Sequence, residues 1–213
     1  LDPEVRWFPA DEALRESSAE KLMPPLVDQL RRKVKIFRDS GYVGASDTSA
    51  SLLNWWFKEP HLLPQMDGTM FSFQYYFAQR EALETIIYLY DVVGAKDKYD
   101  LMRFDSSGVV SAQMFDESWR RYVVKMATGS GKTKVMSLAL AWSFFHKLYE
   151  PESELARNFL LIAPNIIVLD RIYHDFSGLR IFFEDPVLPD NGFDGRNWRD
   201  DFQLTLHLQD EVR

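Results

Sequence analysis

The spacing of apolar residues along this chain changes character near residue 70. Before that point Leu26, Leu30, Val34 and Phe37 recur on one helical face behind Pro24-Pro25, which a first helical turn tolerates. That helix should stop at Ser40-Gly41. A second short helix is expected to start with Ser46-Asp47 as its cap. It should run through Leu52, Leu53, Trp56 and Phe57 to the break at Pro60. The stretch from Pro60 to Gly68 reads as a linker.

From Phe71 onward the elements alternate. Phe77, Ala78, Leu83, Ile86, Ile87 and Tyr90 mark a helix ending before Gly94. After a loop containing Asp105-Ser106-Ser107-Gly108, Tyr122-Val123-Val124 reads as a buried strand, and a loop with two glycines follows. A long apolar helix is predicted over residues 132–149, a second buried strand over 158–163 and a further helix over 166–176. Strand, loop, helix, strand, helix is the rhythm of a parallel α/β domain, whose crossovers lay helices on the sheet faces. Near the end Phe202, Leu204, Leu206 and Leu208 alternate with Gln203, Thr205, His207 and Gln209, as in a half-exposed strand. The expectation is a helical region over residues 1–68 and an α/β lobe over 69–213. No internal repeat or low-complexity tract breaks this pattern.

Composition supports a folded chain. Of 213 residues 46% are hydrophobic, with six Trp and sixteen Phe, which is ample for a packed core. With no cysteine, a disulfide scaffold, a thiolate zinc site and a cysteine nucleophile are excluded, and a reducing cytoplasm suits the chain. No signal-peptide pattern and no membrane-spanning apolar run is present. The chain opens on Leu rather than Met, so a trimmed terminus or a segment of a longer protein is expected. The net charge of −7 argues against a surface that is basic overall, though local positive charge still suffices for binding phosphates.

The strongest chemical signal is Met126-Ala127-Thr128-Gly129-Ser130-Gly131-Lys132-Thr133, placed between a predicted strand and a predicted helix. Glycines there let backbone N–H groups turn around a phosphate, and the helix N-terminus adds partial positive charge. Lys132 would reach the β- and γ-phosphates of ATP, and the Thr133 hydroxyl would sit on Mg²⁺. The general pattern has glycine where Met126 stands, but the Gly-x-Gly-Lys-Thr segment that wraps the phosphates is intact. A glycine-rich turn with a chance lysine is the plain alternative.

The octet resembles motif I of superfamily 2 helicases, in the branch holding the motor subunits of type I and type III restriction enzymes and related DEAD/DEAH-type proteins. Tyr75-Tyr76-Phe77-Ala78-Gln79-Arg80-Glu81-Ala82 resembles the segment in which a glutamine reads the adenine edge. The resemblance gives that role to Gln79, with Phe77 or Tyr76 against the base; Ala78 stands where the usual aromatic would be. Ile162-Ala163-Pro164-Asn165 and Val168-Leu169-Asp170-Arg171 resemble motif Ia, which implies a DNA-backbone contact at Pro164 and Asn165. The matches span roughly residues 75–175. They imply an incomplete RecA-like lobe with a parallel sheet, ATP and Mg²⁺ as cofactors, and double-stranded DNA as the track of a longer motor. A methyltransferase or other restriction-system subunit is the implied partner. The nucleotide set is Gln79, Thr128, Gly129, Ser130, Gly131, Lys132 and Thr133, with Lys132 and Thr133 catalytic.

Each feature also has a plainer reading. Gln79 on an amphipathic helix is by default a solvated polar residue, and Pro164-Asn165 an ordinary strand-ending turn. Arg31, Arg32, Lys33, Lys35 and Arg38 form a basic run that is commonly a solvated face. Trp55-Trp56-Phe57 fits core, or a docking face, better than a base-stacking platform.

A motor also needs a carboxylate pair for Mg²⁺ and for the attacking water. Asp11-Glu12 and Asp116-Glu117 precede the loop, the wrong order for this resemblance. Asp210-Glu211 follows it, but behind an alternating segment rather than the near-continuous apolar run of a strand buried on both faces. The expectation is that the pair and a second lobe lie beyond Arg213. Two rival classes stay open: a phosphotransferase acting on a small molecule, and a nucleotide-responsive interaction module without hydrolysis.

Overall fold

The computed structural model describes residues 26–105, 108, 110–111 and 122–208. Asp11-Glu12, Asp116-Glu117 and Asp210-Glu211 lie outside the described residues. Two compact units are present: Leu1–Gly44 with Glu84–Val124, and Ala45–Leu83 with Lys125–Arg213.

In the first unit, α1 (Val27–Asp39) buries Val34 and Phe37, the face its spacing predicts. It ends in a Schellman arrangement. The Gly41 N–H donates to the Arg38 carbonyl at 3.1 Å and the Tyr42 N–H to the Phe37 carbonyl at 2.9 Å. Gly41 takes φ +78° and Tyr42 φ +69°. The Tyr42 ring is thereby set edge-on to Phe37 with centroids 5.2 Å apart, the apolar contact that accompanies this cap. Below them lies a fully buried carboxylate. Glu84 accepts from Arg38 Nε at 2.7 Å and from the Tyr42 hydroxyl at 2.8 Å. The basic run is therefore divided. Arg38 turns inward, while Arg32 and Lys35 pair along the helix with Asp28 and Asp39. Such exposed pairs are worth about 0.3–0.5 kcal/mol each. The α3 helix (Phe77–Ile87) gives Glu84–Ile87 to this unit and relaxes into a π-helical turn at Tyr88–Val92 before Gly94. A short α4 (Lys98–Met102) is capped by Asp97.

In the second unit, α2 (Asp47–Phe57) starts as predicted, with Ser46 Oγ accepting from the Ser49 N–H. Trp56 is a core residue and Trp55 is half-buried, and both have satisfied N–H groups. Trp55 donates to the Pro186 carbonyl at 3.1 Å and Trp56 to the Val187 carbonyl at 2.7 Å. α5 (Lys132–Tyr149) packs beside α2, burying Val135, Leu138, Ala141, Trp142, Phe144 and Phe145, and Trp142 Nε1 donates to Ser49 Oγ. Phe145 meets Trp198 and Phe202 in an aromatic cluster that also holds Phe182. α6 (Ile166–Phe176), α7 (Arg180–Phe183) and α8 (Trp198–Asp201) complete the unit.

Two expectations change. Pro60–Gly68 was expected as a linker, but it forms one arm and the turn of a hairpin. β1 (His61–Pro64) pairs antiparallel with β2 (Met70–Phe73), His61 opposite Phe73. Asp67 Oδ1, accepting from both the Thr69 N–H and hydroxyl, and Gly68 at φ +82° build the turn. The second change is the sheet. Among the described residues this two-stranded hairpin is the only sheet, and the expected parallel sheet is not seen among them. Residues 122–124, 158–163 and 202–208 carry no ladder. Val123, Leu160 and Ile162 are each more than 80% exposed. A parallel strand exists only through its lateral partners, so an apolar run can be strand-like in composition and still stand unpaired.

Candidate functional site

The glycine-rich loop and the segment around Gln79 come together in the second unit. Gly129 and Gly131 take φ +80° and +78°, the left-handed region where only glycine sits without strain. They turn the chain so that α5 begins with its first N–H groups uncapped by any side chain and with no acidic residue in its first turn. An 18-residue helix with an open positive end, whose first two residues are Lys132 and Thr133, is the chemistry an anionic phosphate requires. The residues present therefore fit the phosphates of a nucleoside triphosphate.

Three hydrogen bonds draw the loop inward. Ser130 Oγ donates to the Ala127 carbonyl at 2.6 Å, and Lys132 Nζ donates to the same carbonyl at 2.8 Å. The Ser130 N–H adds a longer bond to that oxygen at 3.4 Å. One carbonyl thus holds the lysine over the loop, and a phosphate would have to replace it. Thr128 and Lys132 are exposed, while Ser130 and Thr133 are half-buried. Lys134, two residues on, turns the other way and ion-pairs with Asp185. Burial pushes its ammonium down to about 8, against the pull of the Asp175 carboxylate.

Gln79 is buried, at 5% exposure. Its Oε1 accepts from the Tyr76 N–H at 2.8 Å, and its Nε2 donates to the Gly131 carbonyl at 3.4 Å. The sequence offered two readings of this residue, solvated or base-facing. The geometry adds a third partner that spacing gave no sign of, the loop itself. A Cβ on Gly131 would collide with Gln79 Nε2, so glycine is needed there for packing as well as for its positive φ. Of the two aromatics considered for the base, Tyr76 is 66% exposed and Phe77 is half-buried. Tyr75 is set edge-on to Phe73 and Phe57, and burial raises the pKa of its hydroxyl.

Pro164 and Asn165 are exposed and stand apart from these contacts. Asn165 caps α6, its Oδ1 accepting from the Val168 N–H at 3.0 Å. Ile166, Ile167 and Leu169 on that helix are open to solvent. Among the described residues no group of three or more His, Cys, Asp or Glu side chains could hold a metal, and no helix is long and apolar enough to cross a membrane.

A family model described as type III restriction enzyme, res subunit, matches residues 72–203, from β2 through the loop to the end of α8. No curated protein and no solved structure matches the chain.

Proposed function

Since this chain belongs to the type III restriction enzyme res subunit family, we propose that its second unit is the ATP-binding part of a DNA translocase in a restriction or phage-defence system. Membership implies a RecA-like α/β fold and a helicase-like, ATP-dependent motor that uses Mg²⁺. The finer reading rests on one observation. The uncapped N-terminus of α5, with Gly129, Gly131, Lys132 and Thr133, lies directly beside the buried Gln79. Thr128, Gly129, Ser130 and Gly131 would wrap the phosphates with their N–H groups. Lys132 would exchange the Ala127 carbonyl for a phosphate oxygen, and the Thr133 hydroxyl would hold Mg²⁺. The metal's chemistry is to neutralise charge on the β- and γ-oxygens. Pro164 and Asn165, at the start of α6, are assigned to the DNA backbone. Double-stranded DNA is the track, and a methyltransferase or another restriction-system subunit is the partner.

Hydrolysis needs carboxylates for the metal and water, and an arginine from a second lobe whose loss alone costs about 10³–10⁵ in rate. Residues 1–213 alone are therefore expected to release no phosphate above background, with or without DNA. A protein joining this chain to a second lobe should turn over ATP faster when double-stranded DNA is added. DNA-independent turnover that a small hydroxyl-bearing metabolite accelerates would reject the motor in favour of a phosphotransferase. Turnover by residues 1–213 that disappears in Asp210→Asn and Glu211→Gln would make those carboxylates the catalytic pair.

A further inference from the structure

The carboxamide of Gln79 has no free end. Its oxygen takes the Tyr76 N–H and its nitrogen gives to the Gly131 carbonyl. The orientation follows from the partners, because a flipped amide would set N–H against N–H and oxygen against oxygen. Gly131 is the residue from which α5 departs, and its carbonyl also accepts from the Lys134 and Val135 N–H groups in the first turn. Gln79 thus grips the peptide at which the loop becomes the helix. At 3.4 Å the bond is long, yet the side chain is so close that a single methyl on Gly131 would displace it. Tyr76 anchors the other end through its backbone, within the turn that opens α3.

We propose that Gln79 is a positioning residue of the phosphate loop, holding Gly131 and so the first N–H groups of α5 in the arrangement that receives phosphate, whatever base the ligand carries. This inference rests on the ATP reading of the loop. It differs from a base-reading role in a measurable way. A residue that only reads adenine matters only when adenine is present. A residue that sets the loop matters equally for a ligand that is phosphate alone. The amide that holds Gly131 is the one a base would meet, so base recognition and loop geometry share one side chain.

The test uses inorganic tripolyphosphate with Mg²⁺ beside ATP, measured by calorimetry on residues 1–213. Gln79→Leu should weaken tripolyphosphate by about 2- to 12-fold, the factor of one net hydrogen bond. It should weaken ATP by no less. In the unmutated protein the Gln79 side-chain amide resonance should move when tripolyphosphate is added, a readout that stands even if the variant folds poorly. A Gln79→Leu protein with unchanged tripolyphosphate affinity and weaker ATP binding would overturn the inference and leave Gln79 a base reader. A Gln79 amide signal that ignores tripolyphosphate would overturn it as well. Failure of the ATP reading looks different: neither ligand would bind the unmutated chain, or both would bind Lys132→Ala as tightly as the unmutated one.

Discussion

Gly129 and Gly131 share nearly the same backbone angle but not the same surroundings, and alanine at each should separate the two effects. Both sit near φ +80°, where a Cβ costs roughly 1–2 kcal/mol. Around Gly129 a Cβ would meet nothing within 4 Å. At Gly131 it would strike Gln79, and moving that side chain breaks its bonds to Tyr76 and Gly131. Each bond adds roughly 0.5–1.5 kcal/mol. Gly129→Ala should therefore cost about 1–2 kcal/mol and Gly131→Ala about 2–5 kcal/mol, from the conformational cost plus two hydrogen bonds. Equilibrium urea unfolding, with midpoints compared at constant slope, measures both. In a Gln79→Ala background the excess at Gly131 should vanish, since the two residues touch and their effects are not additive. Equal costs at the two glycines would refute the contact on which the loop's positioning depends.

Three other outcomes follow from named contacts. Glu84→Ala removes a carboxylate buried against Arg38 and Tyr42 and should destabilise by about 3–5 kcal/mol, against about 1 kcal/mol for Tyr42→Phe, by chemical denaturation. Lys134 falls from its ordinary 10.5 to about 8 on folding, so between these values the unfolded chain holds the proton more tightly. Stability should therefore rise from about pH 8 to 10.5; Lys134→Met should lack that rise, and thermal melts across the range decide. Asn165→Ala removes the cap of α6 and should cost about 1 kcal/mol, whereas Asn165→Asp keeps an acceptor for the Val168 N–H. If Asn165 also touches a DNA phosphate, the aspartate variant should bind DNA more weakly while folding normally. Unchanged DNA affinity leaves the residue a cap alone.

What the sequence announced and what it hid divide along physical lines. Helices were legible because their signals are local. Ser46 caps α2, Gly41 ends α1, and α5 and α6 occupy the residues their spacing marks out. The tryptophan pair Trp55-Trp56 reads as core, and both indole N–H groups find carbonyls far along the chain. The parallel sheet was not legible in the same sense. Runs such as residues 158–163 have strand composition, but a ladder needs partners that composition cannot supply. The hairpin His61–Phe73 is hidden in the sequence because proline and glycine mark a turn and a linker alike. At the site, the loop was visible as a motif. The grip of Gln79 on Gly131 was not, since it joins residues far apart in sequence whose types suggest nothing of each other.

If Gly129, Gly131, Lys132 and Thr133 form an ATP site, nucleotide affinity must depend on the lysine, and titration calorimetry measures that dependence. ATP with Mg²⁺ should release measurable heat on binding the unmutated chain. Lys132→Ala, which removes the ammonium now held by the Ala127 carbonyl, should abolish it. Equal affinity in the two proteins would contradict the assignment.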